Sequence, residues 1–278
     1  MKSTNSSPTI AEIRQLGQKP EYRTQGNWLA RRWARPAAVY GTWIAIRLGM
    51  TANMVTVMAA LAWLAEAFAF ASGTVSGIKL GCFLGFLGFW LDHVDGQVAR
   101  VTRTSSLEGF FLDFWMHSAH CLTRAFGLGW GAYLATDNKI MIIAGMLTAF
   151  GWIMLSQAND TKYKAMFAKL KNERGNWTVH NSENQSRVSY ERQGLTKIKR
   201  FVSIALLRLH EPHSVLMVLG LISVVSFPSS LLALEFLKVM IVFWATTSPL
   251  LAIARLWKMI KISAVQREFD LYFQKSSE

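Results

Sequence analysis

The chain has few cysteines and few acidic residues for its length. Two of its 278 residues are cysteines, Cys82 and Cys121, and both lie in apolar stretches. The sequence therefore predicts neither a disulfide framework nor a cysteine-based metal knuckle. Only 17 aspartate and glutamate residues stand against 30 lysine and arginine residues, which gives a net charge of +13. No cleavable signal peptide is expected, because the first 50 residues are polar and basic.

Apolar residues make up 51% of the chain and are grouped in blocks. The blocks are roughly 16 to 25 residues long, about the length of a helix that crosses a bilayer. A uniformly basic soluble protein would suggest nucleic acid as a partner, whereas alternating apolar and basic blocks indicate a bilayer with anionic lipid. We therefore predict an all-α integral membrane protein that binds membrane lipid and no nucleic acid. Its six predicted transmembrane helices are 52–71, 77–98, 109–134, 140–155, 214–227 and 231–256.

The predicted domain organisation follows from these blocks. Residues 1–50 form a cytoplasmic tail with interfacial helices, and residues 51–258 form a six-helix transmembrane catalytic domain. A cytoplasmic basic loop, 158–212, lies inside that domain, and residues 259–278 form a second cytoplasmic tail. No separate soluble domain is predicted.

The polar segments contain amphipathic patterns that are typical of helices lying in the membrane interface. A mobile polar tail is expected up to about residue 19, followed by interfacial helices with a break at Pro36. Two short interfacial helices are expected near 163–170 and 198–205, and a flexible loop near 172–187.

Basic residues are concentrated on one side of the predicted spans. The first 50 residues contain eight lysines and arginines, the 158–212 loop eleven, and residues 255–278 five. The loops at the opposite ends of the spans contain only Lys139. The positive-inside rule then predicts a multi-pass protein of the inner (cytoplasmic) membrane, with both termini and the long loop in the cytoplasm.

One stretch, LDHVDGQVARVTRTSSLEGFFLDFWMH, combines several acids with long apolar runs. A carboxylate at membrane depth indicates a functional site, because charge is costly there. Asp92 and Asp95 are three residues apart, and Asp113 and His117 are four apart, so each pair shares a helical face. Two helices joined by the polar link 100–106 could direct all four groups at one spot. Such oxygen ligands suit a hard cation such as Mg²⁺.

Small residues and one arginine follow the acids at helical spacing. Gly96 and Ala99 lie about one turn beyond the acidic pair, and Gly109 lies four residues before Asp113. The small size of these three residues leaves room for a ligand beside the acids. The guanidinium of Arg100 could bind a phosphate in that space through two hydrogen bonds.

The complete spacing is D-x2-D-G-x2-A-R-x8-G-x3-D-x3-H, and it closely resembles the signature of the CDP-alcohol phosphotransferases. These are integral membrane enzymes of phospholipid synthesis, and their signature ends in a fourth aspartate where this chain has His117. The resemblance implies transfer of a phosphoalcohol group, in particular a phosphatidyl group, from a CDP-alcohol to the hydroxyl of a lipid or polar alcohol acceptor, with release of CMP. It also implies two Mg²⁺ or Mn²⁺ ions and a homodimer. The positive-inside rule places the signature end of the helices, and with it the active site, on the cytoplasmic side.

The same resemblance implies roles for individual residues. The metal ligands would be Asp92, Asp95 and Asp113. His117 would either take the proton of the acceptor or complete the second metal site. The start of the first span, TANMVT, is similar to the family pattern T-P-N-x-x-T, with Ala52 in place of proline. Its Asn53 and Thr56 would lie near the nucleotide, or would simply cap and pack a helix. The residues expected at the nucleotide and its phosphates are Asn53, Thr56, Gly96, Ala99, Arg100 and Gly109.

Further polar residues continue along the same face of the third span. His120 follows His117 by three residues and Arg124 follows His120 by four, and both could contact the acceptor. Glu66, deep in the first span, needs a partner, and Arg124 could provide it instead of binding the acceptor. His93, between the acids, is expected to be a packing residue.

Two other functions fit parts of this pattern. Water could replace the acceptor, which would make the protein a CDP-alcohol hydrolase. Alternatively, a transporter or non-catalytic relative could use Glu66, His120 and Arg124 as an ion path, and His117 would then mark lost activity. Three intact aspartates at the signature positions argue against lost activity. Release of CMP, with or without an acceptor, separates the three functions.

Overall fold

A computed structural model of the chain describes residues 7–18, 26–173, 177–179, 197–225 and 230–275, and almost all of these are helical. The first helices are α1 (Ile10–Gly17), a π-helical turn (Ala30–Ala34) that leads into α2 (Arg35–Arg47), α3 (Ala52–Ala71) and α4 (Val75–Thr102). They are followed by α5 (Leu107–Thr136), α6 (Ile140–Asn172), strand β1 (Trp177–Val179), α7 (Lys197–Arg208) and α8 (Pro212–Val225). The chain continues with α9 (Ser230–Lys261), α10 (Ala264–Tyr272) and strand β2 (Phe273–Lys275).

Polar side chains determine where α3, α4 and α5 begin. Thr51, Thr74 and Ser106 each accept a hydrogen bond from the backbone N–H three residues ahead, at 3.2, 3.0 and 3.0 Å. α4 and α5 end at Arg103 and Asp137, whose left-handed backbones, with φ of 57° and 51°, turn the chain back. Since the connections are short, the start of α3, the end of α4 and the start of α5 meet at one end of the bundle.

Glycines allow the central helices to approach closely. A Cβ atom at Gly81 of α4 would lie 2.5 Å from the ring of Phe70, and one at Gly88 would lie 2.5 Å from Trp63, both on α3. One apolar core joins the end of α3 with α4, α5, α6, α8 and α9 around the fully buried Trp244. A smaller core joins α2, α3 and α4 near the end where the signature residues lie. The glycines therefore allow α3 and α4 to pack in close contact next to the signature residues.

The predicted all-α membrane class is confirmed. Four described helices are long and apolar enough to cross a bilayer, within α3, α4, α6 and α9. The segments Phe201–Arg208 and Pro212–Leu221 meet at 78° and would make a fifth crossing if they act as one bent span. α5 has 30 residues, about 45 Å of helix, but its polar stripe lowers its hydropathy below that of a typical span. The count of six spans stays a prediction.

The expectation of a mobile polar tail up to about residue 19 was wrong for residues 10–17, which form α1. Thr9 and Glu12 form a capping box that starts this helix, and the side chain of Ile13 is fully buried. The expected break at Pro36 was also wrong. The π-helical turn runs directly into α2, and the missing N–H of the proline falls at that junction.

The helix of the fourth predicted span is much longer than expected. α6 continues through Asn172, so the predicted separate helix near 163–170 is part of α6. The physical reason is that no glycine or proline occurs between Trp152 and Asn172 to end the helix. The predicted helix near 198–205 is present as α7.

The predicted cytoplasmic tail 259–278 is also largely folded. α9 extends to Lys261, and α10 returns to α6 through an ion pair of 2.7 Å between Lys162 and Glu268. The ring of Phe269 is buried there, and β2 pairs with β1 in antiparallel register. In the predicted flexible loop 172–187, residues 177–179 form β1, and residues 174–176 and 180–187 lie outside the described part of the chain.

Candidate active site

The two helices of the signature bring three potential metal ligands together. The Nε2 atom of His117 lies 3.1 Å from an oxygen of Asp92 and 3.4 Å from an oxygen of Asp113. One ligand atom from each residue falls within 4.8 Å of the others. Two carboxylates and one imidazole are donors that suit Mg²⁺ or Mn²⁺, and the partly exposed side chains leave access from solvent. These three side chains therefore fit a divalent cation.

Asp95, the fourth predicted ligand, is not part of this three-residue group. Its Oδ2 atom accepts a hydrogen bond of 2.6 Å from the hydroxyl of Thr56, and its side chain is largely buried. Residues three apart on a helix differ in direction by about 60°, so Asp95 points to one side of Asp92. The structure thus groups three of the four predicted ligands and places the fourth beside an adjacent pocket.

That pocket has a volume of about 230 Å³ and lies between the start of α3, the end of α4 and the start of α5. Asp95 and Asp113 are part of its wall. All six residues predicted to lie near a nucleotide also line it, namely Asn53, Thr56, Gly96, Ala99, Arg100 and Gly109. The remaining lining residues were not predicted and are Ala52, Thr104, Ser105, Ser106 and Phe110. Thr104, Ser105 and Ser106 belong to the short polar link between the two signature helices, which was their only signal in the sequence.

The glycines of the pocket are not required by the packing of the protein itself. A Cβ atom at Gly109 would make only ordinary contacts of 3.4 Å with Asn53 and Ser106. A Cβ atom at Gly96 would meet only the end of the Arg100 side chain, at 3.2 Å. By contrast, a Cβ atom at Gly88 would overlap a buried ring. Open space beside Gly96 and Gly109 is what close approach of a ligand needs.

The amino-terminal helix forms part of the site, which the sequence did not predict. The Nε atom of Arg100 donates a hydrogen bond of 2.6 Å to the carbonyl oxygen of Gly17, the last residue of α1. The neighbouring Gln97 is buried and donates to the carbonyl oxygen of Arg35 at 2.9 Å. α1 therefore fixes the stem of the guanidinium beside Gly96.

The other predicted polar residues form a buried ion network next to the ligand group. Arg124 donates to Glu66 through Nε at 2.7 Å and through Nη2 at 3.2 Å. The Nε2 atom of His120 lies 2.8 Å from the Oε2 atom of Glu66, the same oxygen that accepts the hydrogen bond from Nη2 of Arg124. Of the two roles considered for Arg124, the structure therefore displays pairing with Glu66. The Nδ1 atom of His93 lies 3.0 Å from the carbonyl oxygen of Phe89 and 3.5 Å from the Oδ2 atom of Asp92. His93 therefore also contacts one of the predicted metal-binding residues.

The fold resembles that of solved membrane enzymes. A structure of Mycobacterium tuberculosis phosphatidylinositol phosphate synthase (PgsA1) with CDP-DAG bound matches with a TM-score of 0.51 and 19% identity, over 82% of this chain and 93% of that one. The same synthase in complex with manganese and citrate matches with a TM-score of 0.52 and 19% identity, over 87% and 100% of the two chains. No protein-family model and no curated protein sequence matches the chain. At this identity the likeness establishes the fold.

Proposed function

We propose that the protein is a CDP-alcohol phosphotransferase that transfers a phosphatidyl group to an acceptor hydroxyl and releases CMP. The observation that carries this proposal is the position of the Asp92, Asp113 and His117 group directly beside the pocket of signature residues. The pocket offers a guanidinium and two open glycine positions to a pyrophosphate, while the ligand group offers charge for a divalent cation. A shared fold with a synthase solved with CDP-DAG supports a CDP-diacylglycerol donor.

Each residue of the site has a role in this proposal. Asp92, Asp113 and His117 would hold one divalent ion, and Asp95 would help to hold a second. Such ions, when bound, would supply positive charge to neutralise the charge that develops on the leaving CMP. Arg100 binds a phosphate oxygen of the donor from a position fixed by α1. His117 either takes the proton of the acceptor hydroxyl or acts only as a nitrogen ligand. Carboxylates suit Mg²⁺ and an imidazole favours Mn²⁺, which also occurs in the related synthase.

The proposal is tested by measuring CMP release. Purified protein in lipid micelles is incubated with CDP-diacylglycerol and Mg²⁺ or Mn²⁺, with and without serine, glycerol phosphate or an inositol as acceptor. We expect CMP release that requires one acceptor and is abolished by EDTA. Release without any acceptor would identify a hydrolase, and no release with any of these acceptors would contradict transfer from CDP-diacylglycerol. Incubation with radiolabelled CMP and total lipid extract then shows which lipid loses its headgroup.

We also propose that the site faces the cytoplasm and that the protein resides in the inner membrane. The support is the excess of lysine and arginine at the end of the bundle where the signature residues lie. A nucleotide donor from the cytosol would then reach the pocket directly. Assembly into a homodimer, implied by the resemblance, stays a prediction.

Cysteine labelling tests this orientation. In a background of Cys82→Ser and Cys121→Ser, we expect Ser105→Cys to react with a membrane-impermeant maleimide only in inverted vesicles. Asn138→Cys, at the opposite end of α5, is the matched control and should react only in intact cells or right-side-out vesicles. Both positions are exposed, so each cysteine can react when the reagent reaches its side of the membrane. The reverse pattern would place the site outside the cytoplasm and contradict the orientation.

A further inference from the structure

We propose that Trp63, held in place by the buried network of Glu66, His120 and Arg124, positions the imidazole of His117 in the ligand group. Trp63 and the network lie outside the pocket and the ligand group, so they act through His117. The inference rests on the proposed function, because it assigns positioning residues to the same site.

Burying the charged groups of this network has a desolvation penalty that apolar residues at the same positions would avoid. Glu66 is fully buried, and Arg124 and His120 are almost fully buried, within helices packed in the apolar part of the bundle. Replacing a buried ion pair with apolar residues of similar size is often neutral or stabilising, so stability alone does not explain these charges. A network of this kind holds its members in one geometry, because each hydrogen bond restricts the next side chain.

Trp63 is fixed from two sides. Its ring stacks on the ring of His120, with centroids 4.2 Å apart and planes only 6° apart. His120 cannot turn without losing its hydrogen bond to Glu66. On the other side, Gly88 of α4 leaves just enough room for the ring, because a Cβ atom there would lie 2.5 Å from it. Trp63 is therefore clamped and only 4% exposed.

α4 is shaped to accommodate this arrangement. Gly85, Gly88 and Asp92 are three and four residues apart and share one face of the helix. A Cβ atom at Gly85 would lie 2.7 Å from a carboxylate oxygen of Glu66. On this one helical face, Gly85 leaves space for the network, Gly88 leaves space for Trp63, and Asp92 provides a metal ligand. Arg124 also donates to the carbonyl oxygen of Pro212 at 2.9 Å, which ties the network to the start of α8.

His117 is the next ring in this series. Its centroid lies 5.3 Å from that of Trp63, at an interplanar angle of 42°. The side chain of His117 is 42% exposed, so its own surroundings would otherwise leave it free to turn toward solvent. The clamped indole closes one side of the imidazole, and Asp92 and Asp113 contact its Nε2 atom. Fixing the orientation of a ligand ring in this way maintains metal affinity.

The test is a double-mutant cycle on Mn²⁺ affinity, measured by electron paramagnetic resonance of the free ion. Trp63→Leu and His117→Ala are each expected to weaken binding about 10-fold. The double variant is expected to bind no more weakly than His117→Ala alone, because Trp63 acts through His117. Trp63→Phe retains a ring between the two histidines and should bind nearly as tightly as the wild type.

Trp152→Leu is the matched control. Trp152 is also buried, contacts another aromatic ring, Trp244, and like Trp63 has an indole N–H without a partner among the described residues. This variant should lower the melting temperature as Trp63→Leu does, but leave Mn²⁺ affinity unchanged. In the transfer assay, Trp63→Leu should lower kcat about 10-fold with little change in the KM for CDP-diacylglycerol, since Trp63 does not line the pocket.

Two results would overturn the inference. One is wild-type Mn²⁺ affinity in Trp63→Leu, and the other is a double variant that loses the full effects of both single changes. Neither depends on turnover. If the cycle gives the expected pattern while no donor yields CMP, the proposed function fails and the positioning of His117 stands.

Discussion

Asp92→Asn is expected to lower kcat for transfer by about 1,000-fold while leaving the protein folded in the membrane. Loss of a metal-bound carboxylate removes several kcal/mol of charge stabilisation in the transition state, and each 1.36 kcal/mol is tenfold in rate. Asparagine has the shape of aspartate but lacks the charge that a hard divalent cation requires. Asp113→Asn should have a similar effect, because both carboxylates contact the same nitrogen of His117.

The measurement is acceptor-dependent CMP release at saturating CDP-diacylglycerol, over a range of Mg²⁺ concentrations. Asp137→Asn is the control, because Asp137 is an exposed carboxylate at the far end of α5 and asparagine also tolerates its left-handed backbone. Asp95→Asn is expected to abolish transfer as well, if Asp95 helps to hold a second ion. Activity of Asp113→Asn at limiting Mg²⁺ equal to that of the wild type would show that this carboxylate is not a ligand.

His117→Ala is expected to lower kcat by about 100-fold or more, the usual contribution of a positioned general base or acid. His117→Asp restores the last residue of the family signature and should keep most of the activity. Comparing the two substitutions shows whether position 117 needs a group that can bind a metal or accept a proton. Both are measured as kcat and KM in the transfer assay, with Mg²⁺, Mn²⁺ and Co²⁺ in parallel.

The metal dependence then distinguishes the two roles of His117. If the imidazole is a metal ligand, the wild type should work better with Mn²⁺ or Co²⁺ than with Mg²⁺, because nitrogen suits these softer ions. His117→Asp should then shift the preference toward Mg²⁺. If His117 only takes the proton, the substitution should leave the metal preference unchanged. Turnover of His117→Ala at the wild-type rate with every metal would show that His117 has no chemical role.

Much of the site could be predicted because its residues are close in sequence and lie on helices. Helical periodicity places Asp113 and His117 on one face, and the short link forces the two signature helices to lie side by side. For the same reason, Gly96, Ala99, Arg100 and Gly109 line one pocket, whereas Asn53 and Thr56 were expected there only from the resemblance of TANMVT to the family pattern. No long-range information beyond that link was needed to predict that the segments 92–100 and 107–117 lie together.

Residues far apart in sequence gave no comparable signal. Nothing local to α1 indicates that the carbonyl oxygen of Gly17 meets Arg100, 83 residues later. The pairing of Glu66 with Arg124 was one of two open roles, since a charge in an apolar span shows only that some partner is needed. The extension of α6 beyond the apolar block was missed, because hydropathy marks where a bilayer span could end and not where the helix ends.

The sequence by itself determined the membrane class, the site's position on the signature helices and the pocket residues Gly96, Ala99, Arg100 and Gly109, because these follow from composition and helical spacing over short distances. Only the tertiary structure decided that Asp95 faces the pocket beside Thr56, that α1 supports Arg100, and that Trp63 lies between the rings of two histidines. The physical reason is that these contacts depend on the rotation and separation of packed helices. That geometry is set by many side chains at once, including the glycines that let α4 approach α3.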